Sequence, residues 1–308
     1  MPPNATSVRS SRLGSLSAEG THRDAFTRRD WLLLVIPGLI WGTSFLFIAT
    51  GLETLAPGVV TFGRIMIGAV TLAFVPKARA KVDRSAWPGI FVVSITWLAF
   101  PMTLFPLAQQ HVSSSLAGML NGGIPLFAAA VATLSLRRMP GRFQRYALGL
   151  GLLGMVFIGI PSLSDGRSNI IGVILVIVAI ASYGVAVNVN VPLVQKYGSL
   201  PIFWRCQLVA AVLTAPYAIY GLPHSTLTWR TAGAMLLLGS LCTAVAFVVM
   251  GTLGARVGST RSAAITYLEA VVALFLGVVL RHEHVRPFEY LGCAVILAAA
   301  YLAGRSDD

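Results

Sequence analysis

Glu269 leads into an uncharged run from Ala270 to Leu280 that reads as helix at lipid depth, and it is the one acid that falls clearly inside an apolar span. Such a carboxylate can trade a proton for a substrate. It can also be structural, paired with a helix N-terminus or with an intramembrane arginine such as Arg261 or Arg64, and paired charge is the commoner answer to burial. Glu269 stands only ~13 Å from the start of its span at ~1.5 Å per residue, which sets it towards one side of the membrane. Arg64 and Arg205 each lie about two helical turns into a span. Either could hold a substrate carboxylate. Either could instead snorkel or cap a neighbouring helix, and their matching positions favour a structural role in both.

Aromatic and small polar residues supply the better candidates for a substrate site. Trp41, Ser44, Phe45 and Ile48 recur at helical spacing, as do Trp97, Phe100, Pro101 and Leu104, and then Thr243, Phe247 and Met250. These sets are predicted to wall one cavity, with Tyr183, Asn188, Asn190 and Tyr267 adding hydrogen-bonding groups, although Asn188 and Asn190 point to different faces of a helix. For any single residue, packing between helices is the alternative. Asn121 sits between Gly118, Gly122 and Gly123 just ahead of Pro125, where close backbone approach and a freed carbonyl are expected.

Other patterns carry less. Gly149, Gly151 and Gly154 spell G-x-G-x-x-G, but no strand precedes them, so close helix packing is expected and nucleotide binding is not. Cys206, Cys242 and Cys293 are scattered through spans and imply neither disulfide nor metal site. His282, Glu283 and His284 match no helical ligand pair and read as a solvated loop. No cofactor, no metal and no nucleic acid is expected.

The elements that must position these groups follow from composition. Hydrophobic residues make up 56% of the 308 and charged ones 11%, where a soluble domain carries about a quarter charged. The chain is therefore an all-α integral membrane protein. Ten spans fit: 31–50, 57–75, 86–108, 113–136, 143–161, 170–191, 200–221, 230–253, 260–280 and 288–304. Residues 1–30 form a Ser- and Arg-rich tail without an apolar run, expected to be disordered and cytoplasmic. Sixteen of the 23 Lys and Arg fall on the tail's side. Four, Arg167, Arg230, Arg281 and Arg286, fall opposite, so both termini are placed inside. The net charge of +12 reflects this topology and attraction to anionic lipid.

The chain also says one thing twice. A shift of about 145 residues lays Val257 on Val112, Ser259 on Ser114, Ala273 on Ala128 and Phe288 on Phe143, and nearly the same shift lays Gly184 on Gly42 and Arg205 on Arg64. Two halves of five spans each, 31–161 and 170–304, must enter the membrane in opposite senses. Inverted repeats of this kind hold a substrate site near the midplane and open to either side in turn.

The Trp41-Gly42-Thr43-Ser44-Phe45 stretch, Arg64, and Tyr267-Leu268-Glu269-Ala270 running to Arg281-His282-Glu283 with Leu291-Gly292 beyond resemble the EamA family of the drug/metabolite transporter superfamily. The likeness covers nearly all of the chain after the tail, and within the family it is most similar to bacterial aromatic amino-acid exporters. It implies a multi-pass protein of the bacterial inner membrane. The family usually has Pro after the Glu, where Ala270 stands here; the first half keeps the proline as Ile124-Pro125 but has no Glu, and Arg138 replaces the loop acid seen at Glu283. These departures argue against a scheme that needs one carboxylate per half.

The expected function is export of amino acids, aromatic and other, or related small amphipathic metabolites, as a uniporter or facilitator. The alternative is a proton-coupled antiporter using Glu269. A membrane-embedded enzyme would need a nucleophile, base or metal constellation at depth, and a channel a charged filter; the residues offer neither. Partners are the substrate and the bilayer, and the oligomeric state is open, a monomer included.

Overall fold

Long runs of Leu, Val, Ile and Ala between Pro, Gly and capping residues fold into helices whose ends can be read one by one. The computed structural model describes residues 20–21, 27–136, 142–164, 169–263 and 265–303, and no strand occurs among them. Helix α1, Arg28–Gly51, is started by a capping box in which Thr27 and Asp30 satisfy each other's backbone N–H groups. The capped turn takes Arg28, Arg29 and Asp30 out of the expected tail. Helix α2 is Pro57–Ala73, with its proline where a helix tolerates one. Helix α3, Arg84–Ala108, precedes α4, Ser114–Asn121, and α5, Ile124–Leu136. Then come α6, Arg142–Ser164, α7, Ile170–Tyr197, and α8, Ser199–Gly221. The last are α9, Trp229–Val257, α10, Ser259–Ser262, α11, Ile265–Arg281, and α12, Pro287–Ala303. Gly198 and Gly258 close α7 and α9 at φ of 82° and 87°, a conformation that side chains resist.

Two expected spans are discontinuous. The fourth breaks at Gly122 and Gly123, where their N–H groups turn back to Met119 and Leu120, and the ninth breaks after Ser262. Pro125 explains the first break, because it has no N–H to give to Asn121. Among the described residues, six helical stretches are long and apolar enough to cross a membrane: 28–51, 84–108, 114–131, 170–197, 199–224 and 229–257. Helices α2, α11 and α12 have 17 residues each, about 26 Å at 1.5 Å per residue, slightly short of a hydrocarbon core.

Glycines let the helices approach. A Cβ on Gly42 of α1 would run into Val272 of α11, and one on Gly184 of α7 would lie 2.7 Å from the carbonyl carbon of Phe127 on α5. The α6–α12 contact is reciprocal: a Cβ on Gly154 would meet the Gly292 carbonyl at 2.9 Å, and one on Gly292 the Gly154 carbonyl at 2.7 Å. Gly151 packs against the Leu126 side chain, so Gly151 and Gly154 of the G-x-G-x-x-G run are packing positions, while Gly149 faces open space.

Helices α3 and α9 each contain a π-helical stretch, Ser94–Ala99 and Leu238–Val245. Such wide turns insert a residue and rotate everything beyond them. They also leave carbonyls free for outside donors: in α9, Cys242 accepts from the Trp41 indole at 2.8 Å and Thr243 from Gln207 Nε2 at 2.7 Å.

Ionic contacts gather at the two ends of α1. At its start, buried Asp30 accepts from Arg256 Nε of α9 at 2.7 Å. On the same side Asp83 accepts from Tyr197 and Lys196, which together hold its carboxyl below the ordinary carboxylate range. Beyond the other end, Glu53 meets Arg281 at 3.2 Å and Arg230 at 3.4 Å. There Glu283 is no bystander in a solvated loop. It accepts from Ser114 N, Ser114 Oγ and Ser115 N at 3.0, 2.6 and 2.8 Å, capping α4 with a negative charge.

Candidate functional site

The helix break at Asn121 and the one before Ile265 face each other, and α1, α2, α3, α7 and α9 close the space between them into a cavity of about 50 Å³. At ~10–15 Å³ per water centre it has room for a few waters. Trp41, Ser44 and Phe45 of α1 line it with Ile48, so the helical spacing of that set does define one face. Trp97, Asn121, Tyr183, Phe247 and Met250 line it as well, as do Arg64 and Glu269.

The aromatic wall is interlocked. Phe247 meets Trp41 at 5.0 Å and Trp97 at 5.6 Å between ring centroids, both edge to face, and Phe203 backs the pair at 5.5 and 5.7 Å. Phe45 meets Phe105 edge-on at 5.5 Å, and Phe105 stacks on Tyr183 at 6.0 Å. The Trp41 N–H is spent on Cys242, so Trp41 offers the cavity an apolar surface.

Charge enters from two separate positions. Arg64, 4% exposed, donates from Nε to Thr243 Oγ1 at 3.1 Å and from Nη2 to Ser44 Oγ at 3.3 Å, both neutral. Glu269, 5% exposed, accepts from Asn121 Nδ2 at 2.9 Å. Among the described residues neither makes an ion pair, with the other or with anything else. The expected pairing of Glu269 with Arg64 is therefore absent, and the Arg261 side chain lies outside those described. Asn121 Oδ1 is buried without a hydrogen-bond partner.

Several expected site residues stand elsewhere, each for a physical reason. The π-turn moves Phe100 to the outside, where it is 44% exposed, and leaves Pro101 buried but away from the cavity; Met102 and Phe105 take their places. Asn188 donates to the carbonyls of Ala128 and Gly184 and accepts from Ser259, so it ties α7 to α5 and α10. Thr243 does not line the cavity but holds Arg64. Tyr267 is half-buried and turned off the face that Thr266 and Glu269 present. Arg205 reaches the carbonyls of Ala78 at 3.4 Å, Ala80 at 2.8 Å and Pro201 at 3.0 Å, tying α8 to the loop after α2; unlike Arg64 it is only partly buried. Asn190 is buried away from the cavity.

Lining residues without a sequence signal include Met102, Phe105, Val187, Ser262, Ala263, Ile265 and Thr266. The last four come from the break in the ninth span. Gln207 is another group without a sequence signal: it is fully buried with Oε1 unpartnered, and its Nε2 donates to the Thr243 carbonyl at 2.7 Å. Cys206, Cys242 and Cys293 are free and buried, and no cluster of metal-binding side chains occurs among the described residues.

The sequence model of the EamA-like transporter family matches this chain twice, at residues 30–160 and 170–305. The chain is 24% identical over 271 residues to the uncharacterized transporter YoaV of Bacillus subtilis, covering 86% of this chain and 92% of that protein. It is 23% identical over 289 residues to a probable amino-acid metabolite efflux pump of Escherichia coli, covering 90% and 95%. A probable terminal-alkyne amino-acid exporter of Streptantibioticus cattleyicolor is 24% identical over 277 residues, covering 88% and 92%. A protein of known crystal structure, 18% identical, shares the fold with a TM-score of 0.66 over 89% of this chain and 97% of its own.

Proposed function

This chain belongs to the EamA-like transporter family, a multi-pass membrane transporter, and we propose that it exports amino acids or related small amphipathic metabolites by alternating access from ten spans arranged as two inverted repeats. The observation that carries the reading is the central cavity, which combines an aromatic wall with one guanidinium and one carboxylate not paired to each other. Burying two charges that have no ion pair among the described residues is costly, and a structural core has no reason to keep them apart. A site that receives a charged solute does. The relatives named for amino-acid export support the substrate class.

Symmetry of detail supports the repeat. Gly42 against Val272 and Gly184 against Phe127 are equivalent contacts between the two halves. The π-turns of α3 and α9, and the breaks of the fourth and ninth spans, also fall at matching places. Discontinuous helices that meet at a central site are the usual device of such transporters.

Uniport is the mode we propose, because Glu269 has no acidic counterpart at Ile124. A second reading has its own observation: among the described residues Glu269 has a single neutral partner, so an exchangeable proton is another way to offset its charge. Purified protein in liposomes, loaded with an amino-acid panel and assayed for counterflow with and without a pH gradient, tests both. Absence of flux for the whole panel would remove the function proposed.

A further inference from the structure

Arg64 and Glu269 reach the same cavity from different helices, and each is held by neutral groups that leave bonding capacity over. Arg64 commits Nε and Nη2 to the hydroxyls of Thr243 and Ser44, while Nη1 has no protein partner among the described residues. On the Glu269 side, Asn121 turns its Nδ2 to the carboxylate and keeps Oδ1 buried and unsatisfied. A buried acceptor without a donor is costly in a folded protein and calls for an explanation. A donor with more than one N–H could reach the Asn121 oxygen and the Glu269 carboxylate together.

We infer that the cavity recognises the two charges of a zwitterion separately, with the substrate carboxylate on Arg64 and Ser44 and the substrate ammonium between Glu269 and Asn121 Oδ1. This rests on the amino-acid transport reading above and adds which atoms select the substrate. An ammonium group has three donors and can satisfy the Glu269 carboxylate and the Asn121 oxygen at once. A guanidinium with an open edge suits a carboxylate. The net charge of the occupied site is then balanced twice over, whereas a lone amine would leave Arg64 without an anion and a lone acid would leave Glu269 without a cation. Trp41, Trp97 and Phe247 offer an apolar face to the remainder of the substrate, for which the cavity, with room here for a few waters, has to widen.

The test uses three probes of one shape: L-phenylalanine, phenethylamine, which lacks the carboxylate, and 3-phenylpropionate, which lacks the ammonium. Competition against labelled L-phenylalanine counterflow in proteoliposomes should rank the amino acid first by about tenfold or more over each analogue, the order of one lost charge-assisted hydrogen bond. Glu269→Gln should narrow the gap between L-phenylalanine and 3-phenylpropionate while keeping the gap to phenethylamine. Arg64→Gln should do the opposite. A folding defect cannot produce this crossed pattern, and the wild-type ranking alone is decisive if a variant is not recovered. Wild-type protein that carries L-phenylalanine but accepts either analogue equally would overturn the clamp and leave amino-acid transport standing. Carriage of other amino acids but not L-phenylalanine moves the same comparison to a transported amino acid with its own amine and acid, where equal competition again overturns the clamp. Protein that carries no amino acid overturns both.

Discussion

Trp97 and Met102 stand five residues apart on α3 and line the same cavity, the offset of a π-turn and not of an α-helix. Beyond Ser94–Ala99 every inward position is displaced by one residue, so Met102 and Phe105 face the cavity while Phe100 faces outward. A regular helix would have put Phe100 in their place.

The first prediction follows from that register. Trp97→Ala and Met102→Ala enlarge the cavity and should shift substrate preference within an amino-acid panel, whereas Phe100→Ala should leave it unchanged. Counterflow in proteoliposomes reads all three. A change of preference in Phe100→Ala, with none in Met102→Ala, would mean that the α3 register is wrong.

The second prediction concerns the bond between α1 and α9. Asp30 is fully buried, caps its own helix through Thr27 and accepts from Arg256 at 2.7 Å. Asp30→Ala removes cap and ion pair together and should cost about 1–3 kcal/mol, read as a lower Tm in detergent. Asp30→Asn keeps a capping side chain without the charge and should fall between. An unchanged Tm for Asp30→Ala would show that the contact does not matter to the fold.

The helix content and the apolar spans are legible in composition and the length of apolar runs, and the α1 face in a period of 3.6 residues. Where the period changes, legibility ends. Nothing in Ser94–Ala99 or Leu238–Val245 announces a π-turn, and so Phe100 and Pro101 were assigned to a face they had already rotated off. For Arg205, where a structural role is the favoured reading, the repeat gives a place along α8 but not a direction, and the side chain donates to the loop carbonyls of Ala78 and Ala80. Asn121 was legible from its glycine neighbours and Pro125. Its partner was not, since a contact between residues 121 and 269 is set by how two halves close on each other.

Topology gives the third prediction. With the Lys- and Arg-rich side inside, a reporter in the loop at residues 80–83 should be cytoplasmic and one at residues 225–227 external. These loops follow an even and an odd number of the proposed spans. Finding both on one side would remove the inverted arrangement.

The last prediction is that transport needs no proton exchange. An antiporter in which proton and substrate compete requires a group whose protonation differs between loaded and empty states. Glu269 is the acid in the cavity, the other half has Ile124 at the matching position, and the usual proline after the Glu is Ala270 here. If Glu269 stays ionised in the empty site and gains a substrate ammonium as its partner in the loaded one, its protonation does not differ between the two states. Glu269→Gln keeps shape and hydrogen-bonding length while fixing the charge at zero, so it separates the readings. Weakened affinity is expected, yet at saturating substrate the variant should still carry out downhill counterflow, and the wild-type protein should gain no uphill flux from an imposed pH gradient. Uphill wild-type flux driven by that gradient, abolished in Glu269→Gln while downhill exchange survives, would sink uniport and make Glu269 the proton carrier.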